Sequence, residues 1–125
     1  MNVACLVVAG VVRALLPEGD VTLAWTHSVQ KTRWEERYRV EGGRLRLVEA
    51  YVEGSGAGME PPPHASRDGA GWRWSPDRTV PALVLASSGF GGDYAVCGAQ
   101  GCRALQDLAG GTSPVELRAC RLPSR

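Results

Sequence analysis

The chain has 125 residues and 13.3 kDa, with 44% hydrophobic and 22% charged residues, a length that fits one domain and buries roughly 65% of the unfolded surface. These near-average fractions exclude wholesale disorder. A net charge of +1, from 14 basic and 13 acidic residues, excludes charge-driven binding to nucleic acid or to an anionic membrane.

The predicted elements run almost entirely to β-structure. Residues 1–12 are apolar over a signal-peptide length, but no positive segment precedes them and Arg13 follows; they read as a strand, a turn at Gly10 and a second strand ending at Leu16. No apolar run reaches the ~20 residues that span a bilayer. Residues 21–27 alternate, with Val21, Leu23, Trp25 and His27 on one face. Residues 34–40 place Trp34, Glu36, Tyr38 and Val40 together, and residues 44–53 do the same for Leu45, Leu47, Glu49 and Tyr51. A Gly/Pro-rich irregular loop spans residues 54–71, and short strands follow at 71–74, 82–86, 94–97 and 115–122. Residues 103–109 suit about one turn of helix. Turn signals such as Gly42-Gly43 and Ser75-Pro76-Asp77 separate these pieces. The expectation is a single all-β domain over residues 1–125: an antiparallel sandwich or small barrel of about 8–10 short strands, with at most one short helix.

The four cysteines are Cys5, Cys97, Cys102 and Cys120. Gly98-Ala99-Gln100-Gly101 is hairpin-loop material and sets Cys97 opposite Cys102, within disulfide reach. Cys5 and Cys120 fall in the first and last strands, so a second bridge forms if those strands are neighbours. This pairing points to an oxidising compartment; four buried free thiols in a cytosolic protein is the alternative. The absence of a C-x2-C pair argues against a structural zinc site, and no metal or cofactor is expected.

The densest polar chemistry lies between Thr26 and Tyr38. A two-residue turn at Gly42-Gly43 pairs Glu41 with Arg44 and, counting back, Arg39 with Arg46, Tyr38 with Leu47, Glu36 with Glu49 and Trp34 with Tyr51. If residues 29–32 form the preceding loop, His27 faces Trp34 and Trp25 faces Glu36. The predicted pocket is then His27, Glu36 and Glu49, framed by Trp25, Trp34 and Tyr51, with Lys31, the single lysine, reaching over the sheet end. Opposed carboxylates need a partner, a proton or a cation, so a small polar binding pocket competes with a structural polar network. The other face carries Arg37, Arg39 and Arg46, either an anion-docking stripe or a solvated edge of mixed charge.

The same block carries a resemblance. The run from His27 to Glu36, then Tyr38, then Gly54 to Met59, resembles the signature of a bacterial domain-of-unknown-function family, number 1850, over roughly residues 3 to 120. The resemblance implies a small extracytoplasmic protein associated with TAXI-type TRAP transporters, the tripartite importers of organic anions, with the permease or the solute receptor as partner and no established catalysis. The signature positions carried over are His27, Ser28, Lys31, Thr32, Glu36, Gly56 and Gly58, and Met59 closes the loop beside them. The expected function is a non-enzymatic accessory or binding module in the periplasm or cell envelope, with no catalytic residue. Its alternatives are a ligand- or cation-binding β domain unrelated to transport, or a hydrolase using Glu36 and Glu49. Adjacent strand residues point to opposite faces, which argues against a His27–Ser28 dyad.

Overall fold

Alternating apolar and polar residues make strands with one face for a core and one for water, and two such sheets facing each other are the way this chain buries its apolar sides. The structure, a computed structural model, describes residues 2–16, 19–26, 31–54, 61–85, 94–110 and 114–122. Among these, in chain order, are β1 (Asn2–Val8), β2 (Val11–Leu16), β3 (Val21–Thr26), β4 (Arg33–Glu41), β5 (Arg44–Glu53), β6 (Ser66–Asp68), β7 (Gly71–Trp74), β8 (Arg78–Val80), β9 (Ala82–Leu85), β10 (Ala95–Gly98), β11 (Gly101–Ala104), α1 (Leu105–Ala109) and β12 (Val115–Arg121).

They form two antiparallel sheets. The smaller has the order β2-β1-β12-β9. The larger has the order β11-β10-β3-β4-β5-β7-β6, with β8 following β7 along the same edge of β5. The arrangement is a sandwich with no closed barrel. β1 lies over β4 and β12 over β5. β1 sits inside its sheet, and its near-continuous apolar run from Val3 to Val8 is buried throughout. Leu6 and Leu117 of the small sheet meet Leu23, Leu45 and Leu47 of the large one, and α1 closes the side with Leu105. Each such side chain contributes about 1.5–3 kcal/mol of burial free energy. No helix among the described residues is long and apolar enough to cross a membrane.

Both predicted disulfides are present. Cys97 and Cys102 are directly opposed on β10 and β11. Cys5 joins Cys120 across the neighbouring strands β1 and β12. Two three-residue strands, β6 and β8, were not predicted; β6 lies inside the stretch read as irregular.

The turn at Gly42-Gly43 has positive φ at both residues, 59° and 78°, the backbone that a tight hairpin matched to strand twist requires. It produces the expected pairs Glu41–Arg44, Val40–Leu45, Arg39–Arg46 and Tyr38–Leu47. Beyond them the register departs from expectation. A bulge makes Val48 an extra residue on β5, so Arg37 faces Glu49, Glu36 faces Ala50, Glu35 faces Tyr51 and Trp34 faces Val52. One extra residue exchanges the faces of everything after it. The expected Glu36–Glu49 and Trp34–Tyr51 pairs are therefore absent. Glu49 instead meets a guanidinium, which removes the like-charge opposition. On the other side of β4, Trp25 faces Trp34 and Leu23 faces Glu36, two residues out from the expected pairing of Trp25 with Glu36. That shift of two leaves the faces unchanged.

Candidate functional site

Directly opposed residues of neighbouring strands share a face, so the register assembles the site row by row. On the core-facing side of the larger sheet, near the ends of β3 and β5, one row runs Trp25, Trp34, Val52, Trp72 and Arg67 across β3, β4, β5, β7 and β6. Tyr94, just before β10, extends it by packing on Trp25, with ring centroids 5.3 Å apart and planes at 60°. Trp25 and Trp34 are 6.2 Å apart at 30°. At the far end the Arg67 guanidinium lies 5.3 Å from the Trp72 ring centroid, within cation–π range. Three of the four tryptophans thus stand in one ladder. Trp25, Trp34, Trp72 and Tyr94 are all half-buried.

The adjacent row holds Leu23, Glu36, Ala50 and Trp74. Glu36 is half-buried between Trp34 and the buried Tyr38 along β4. The Tyr38 hydroxyl donates to Glu36 Oε1 at 3.0 Å. Among the described residues no guanidinium or ammonium pairs with Glu36. Burial, then the Glu36 charge and the hydrogen bond to it, raise the Tyr38 phenol far above its ordinary range. Burial and then the Glu36 charge raise Tyr94 as well. The Trp34 indole N–H donates to Thr32 Oγ1 at 3.4 Å. A Cβ placed on Gly54 would stand 3.6 Å from Thr32 Cγ2, so the segments entering β4 and leaving β5 lie side by side at this end.

The outward face is chemically different, because Asp20, Glu41, Glu49 and Asp77 are paired with arginines. Asp20 accepts two hydrogen bonds from Arg39, at 3.0 and 3.1 Å, and one from Arg37. The bond from Arg39, with that from Arg37, holds the Asp20 carboxyl below its ordinary value against the opposing effect of burial. Glu49 is bridged by Arg73 at 2.8 Å and Arg37 at 3.4 Å. Arg46 binds Asp77 at 2.7 Å and Glu41 at 3.2 Å. The arginines Arg37, Arg39 and Arg46 are thus the solvated mixed-charge edge, and the docking-stripe reading falls because carboxylates already occupy them. Tyr51 is on this face too, under the Arg73 guanidinium at 4.7 Å and over Gly71, where an added Cβ would strike the Tyr51 ring and the Val52 carbonyl oxygen.

The predicted pocket therefore divides. Thr32, Trp34 and Glu36 lie together with Trp25. Glu49 and Tyr51 are on the opposite face, so the two carboxylates form no facing pair and no shared cation site. Lys31 is exposed, with φ of 57°. His27, Ser28, Gly56, Gly58 and Met59 lie outside the described residues; the chain runs into the first two after Thr26 and into the others after Gly54. His64 is exposed, and no group of three His, Cys, Asp or Glu among the described residues is placed to hold a metal ion. Sequence reasoning missed Tyr94 and Trp72 as neighbours of Trp25 and Trp34. The alternation in Gly71-Trp72-Arg73-Trp74 was a signal for a strand, but not for which strand it joins.

No curated protein and no solved structure matches the chain. The model of a family described as Domain of unknown function (DUF1850) matches residues 21–105. That span covers well over half of the chain and carries every residue of the aromatic ladder together with Glu36. The chain belongs to the DUF1850 family.

Proposed function

We propose that this protein is a non-enzymatic binding module of the cell envelope, an accessory to a TAXI-type TRAP organic-anion importer, and that it meets the permease or the solute receptor through the aromatic ladder. The observation that carries the reading is the row Tyr94, Trp25, Trp34 and Trp72, half-exposed beside a Glu36 carboxylate with no cationic partner among the described residues. Trp and Tyr combine a large apolar surface with a polar handle and dominate binding hot spots. Of the family signature, Thr32 and Glu36 stand beside that row. Two disulfides support an oxidising compartment, and the resemblance in the signature block supports the transporter.

The test is affinity capture from native envelope with the tagged wild-type protein and with Trp34→Ala and Trp72→Ala, each variant first shown to keep its unfolding free energy within about 3 kcal/mol of wild type. The expected result is recovery of a TRAP permease or solute receptor by wild type and at least a ten-fold loss with either variant. Equal recovery by the variants, or a wild-type preparation without either partner, overturns the reading.

A further inference from the structure

At the other end of β3 and β10 from the aromatic ladder, a cavity of about 210 Å³ opens between the edge strand β2 and the β10–β11 hairpin. Its apolar walls are Leu15, Leu16, Val21, Val96 and Leu108. The hairpin backbone from Gly98 to Gly101 forms another wall, fixed in place by the Cys97–Cys102 bridge. Arg103 also lines the cavity and is exposed, so the space reaches the surface where that guanidinium stands. Unlike Arg37, Arg39, Arg46 and Arg73, Arg103 has no carboxylate partner among the described residues.

We infer that this cavity binds a small monocarboxylate with a short apolar tail, its carboxylate on Arg103 and its tail against Val96, Leu108 and Leu15. The volume equals that of about seven waters at their liquid share, which suits a ligand of about eight non-hydrogen atoms. Small-molecule sites are apolar hollows with a few polar groups that fix orientation, and a guanidinium offers a carboxylate two parallel hydrogen bonds. The site does not rest on the ladder: Val21 and Trp25 lie four residues apart on β3, roughly 13 Å, and no residue is common to both.

Gly98 supplies a clean way to fill the cavity. It follows Val96 by two positions, so a side chain there points to the same inner side. Its φ is outside the left-handed region, and an added Cβ would meet nothing nearer than the Asp20 carbonyl oxygen at 3.9 Å.

The test is a methyl NMR titration of the full, disulfide-bonded chain with hexanoate and, separately, with 1-hexanol. The expected result is that hexanoate moves the Leu15, Val96 and Leu108 methyl signals and binds at least ten-fold more tightly than hexanol. Arg103→Gln should remove that preference while leaving hexanol binding unchanged, and Gly98→Leu should abolish both. Equal affinities for the two probes in wild type, hexanoate binding unchanged by Arg103→Gln, or methyl shifts with neither probe would each sink the proposal. Because Arg103 is exposed, its variant folds and decides the matter even if Gly98→Leu does not fold. Partner capture through the ladder is read separately and fails or holds independently.

Discussion

Tyr38 is the residue where the core and the candidate site meet. It packs in the main hydrophobic cluster while its hydroxyl donates to Glu36. Its phenol is raised above the ordinary 10.0 by burial and by Glu36. The folded state therefore binds the phenolic proton more tightly than the unfolded chain does. The corresponding stability is fully present below pH 10 and is lost as pH rises beyond it, at up to about 1.4 kcal/mol per pH unit for one group. Tyr94 shifts in the same direction, so a comparison of variants, rather than the wild-type curve alone, isolates Tyr38. Urea midpoints between pH 8.5 and 11.5 should fall more steeply for wild type than for Tyr38→Phe. Parallel curves would show that the Tyr38 proton is not held this way.

At the scale of elements, the β4–β5 hairpin shows what a sequence discloses and what it hides. Gly42-Gly43 is a turn with a mechanism, and the four pairs next to it follow from counting. The bulge has no such mark: Val48 is an ordinary strand residue, and only the unfavourable opposition of Glu36 to Glu49 hinted that the count must break. The β3–β4 pairing was hidden for a different reason, since nothing in residues 27–32 specifies a loop length. Faces survived that error and not the first, because a shift of two keeps a side chain's face and a shift of one reverses it. The aromatic ladder depends on strand order across the sheet, which local patterning does not contain. A pair of deletions tests the bulge. Removing Val48 leaves Leu47 and Ala50 facing inward and Glu49 facing Arg37, so the protein should still unfold cooperatively, with a loss of about 1–3 kcal/mol, the range of an ordinary point change. Removing Ala50 closes the bulge only by turning Glu49 inward, opposite Glu36, in place of the buried Ala50, and should cost distinctly more than removing Val48. Equal effects in urea titrations would mean that Val48 is not the extra residue.

For the whole molecule, the two bridges differ in reach. Cys5–Cys120 closes a sequence separation of 115 and Cys97–Cys102 one of 5. In the chain-entropy treatment the first contributes about 5 kcal/mol and the second about 2 kcal/mol. Cys5→Ala with Cys120→Ala should therefore lower the stability read from urea titration by more than twice the loss from Cys97→Ala with Cys102→Ala; similar losses would contradict the entropic assignment. Both pairings were legible in advance: Cys97–Cys102 from a loop of turn residues, and Cys5–Cys120 from two cysteines in the end strands, which the structure makes neighbours in the small sheet.

The long bridge has a further consequence. Because it joins the first strand to the last, a protease that cuts once anywhere between Cys5 and Cys120 releases nothing: the pieces stay one covalent molecule, with the small sheet's central pair still tied together. An oxidised preparation nicked in a connecting segment would migrate as an intact chain until a reductant separated it into two.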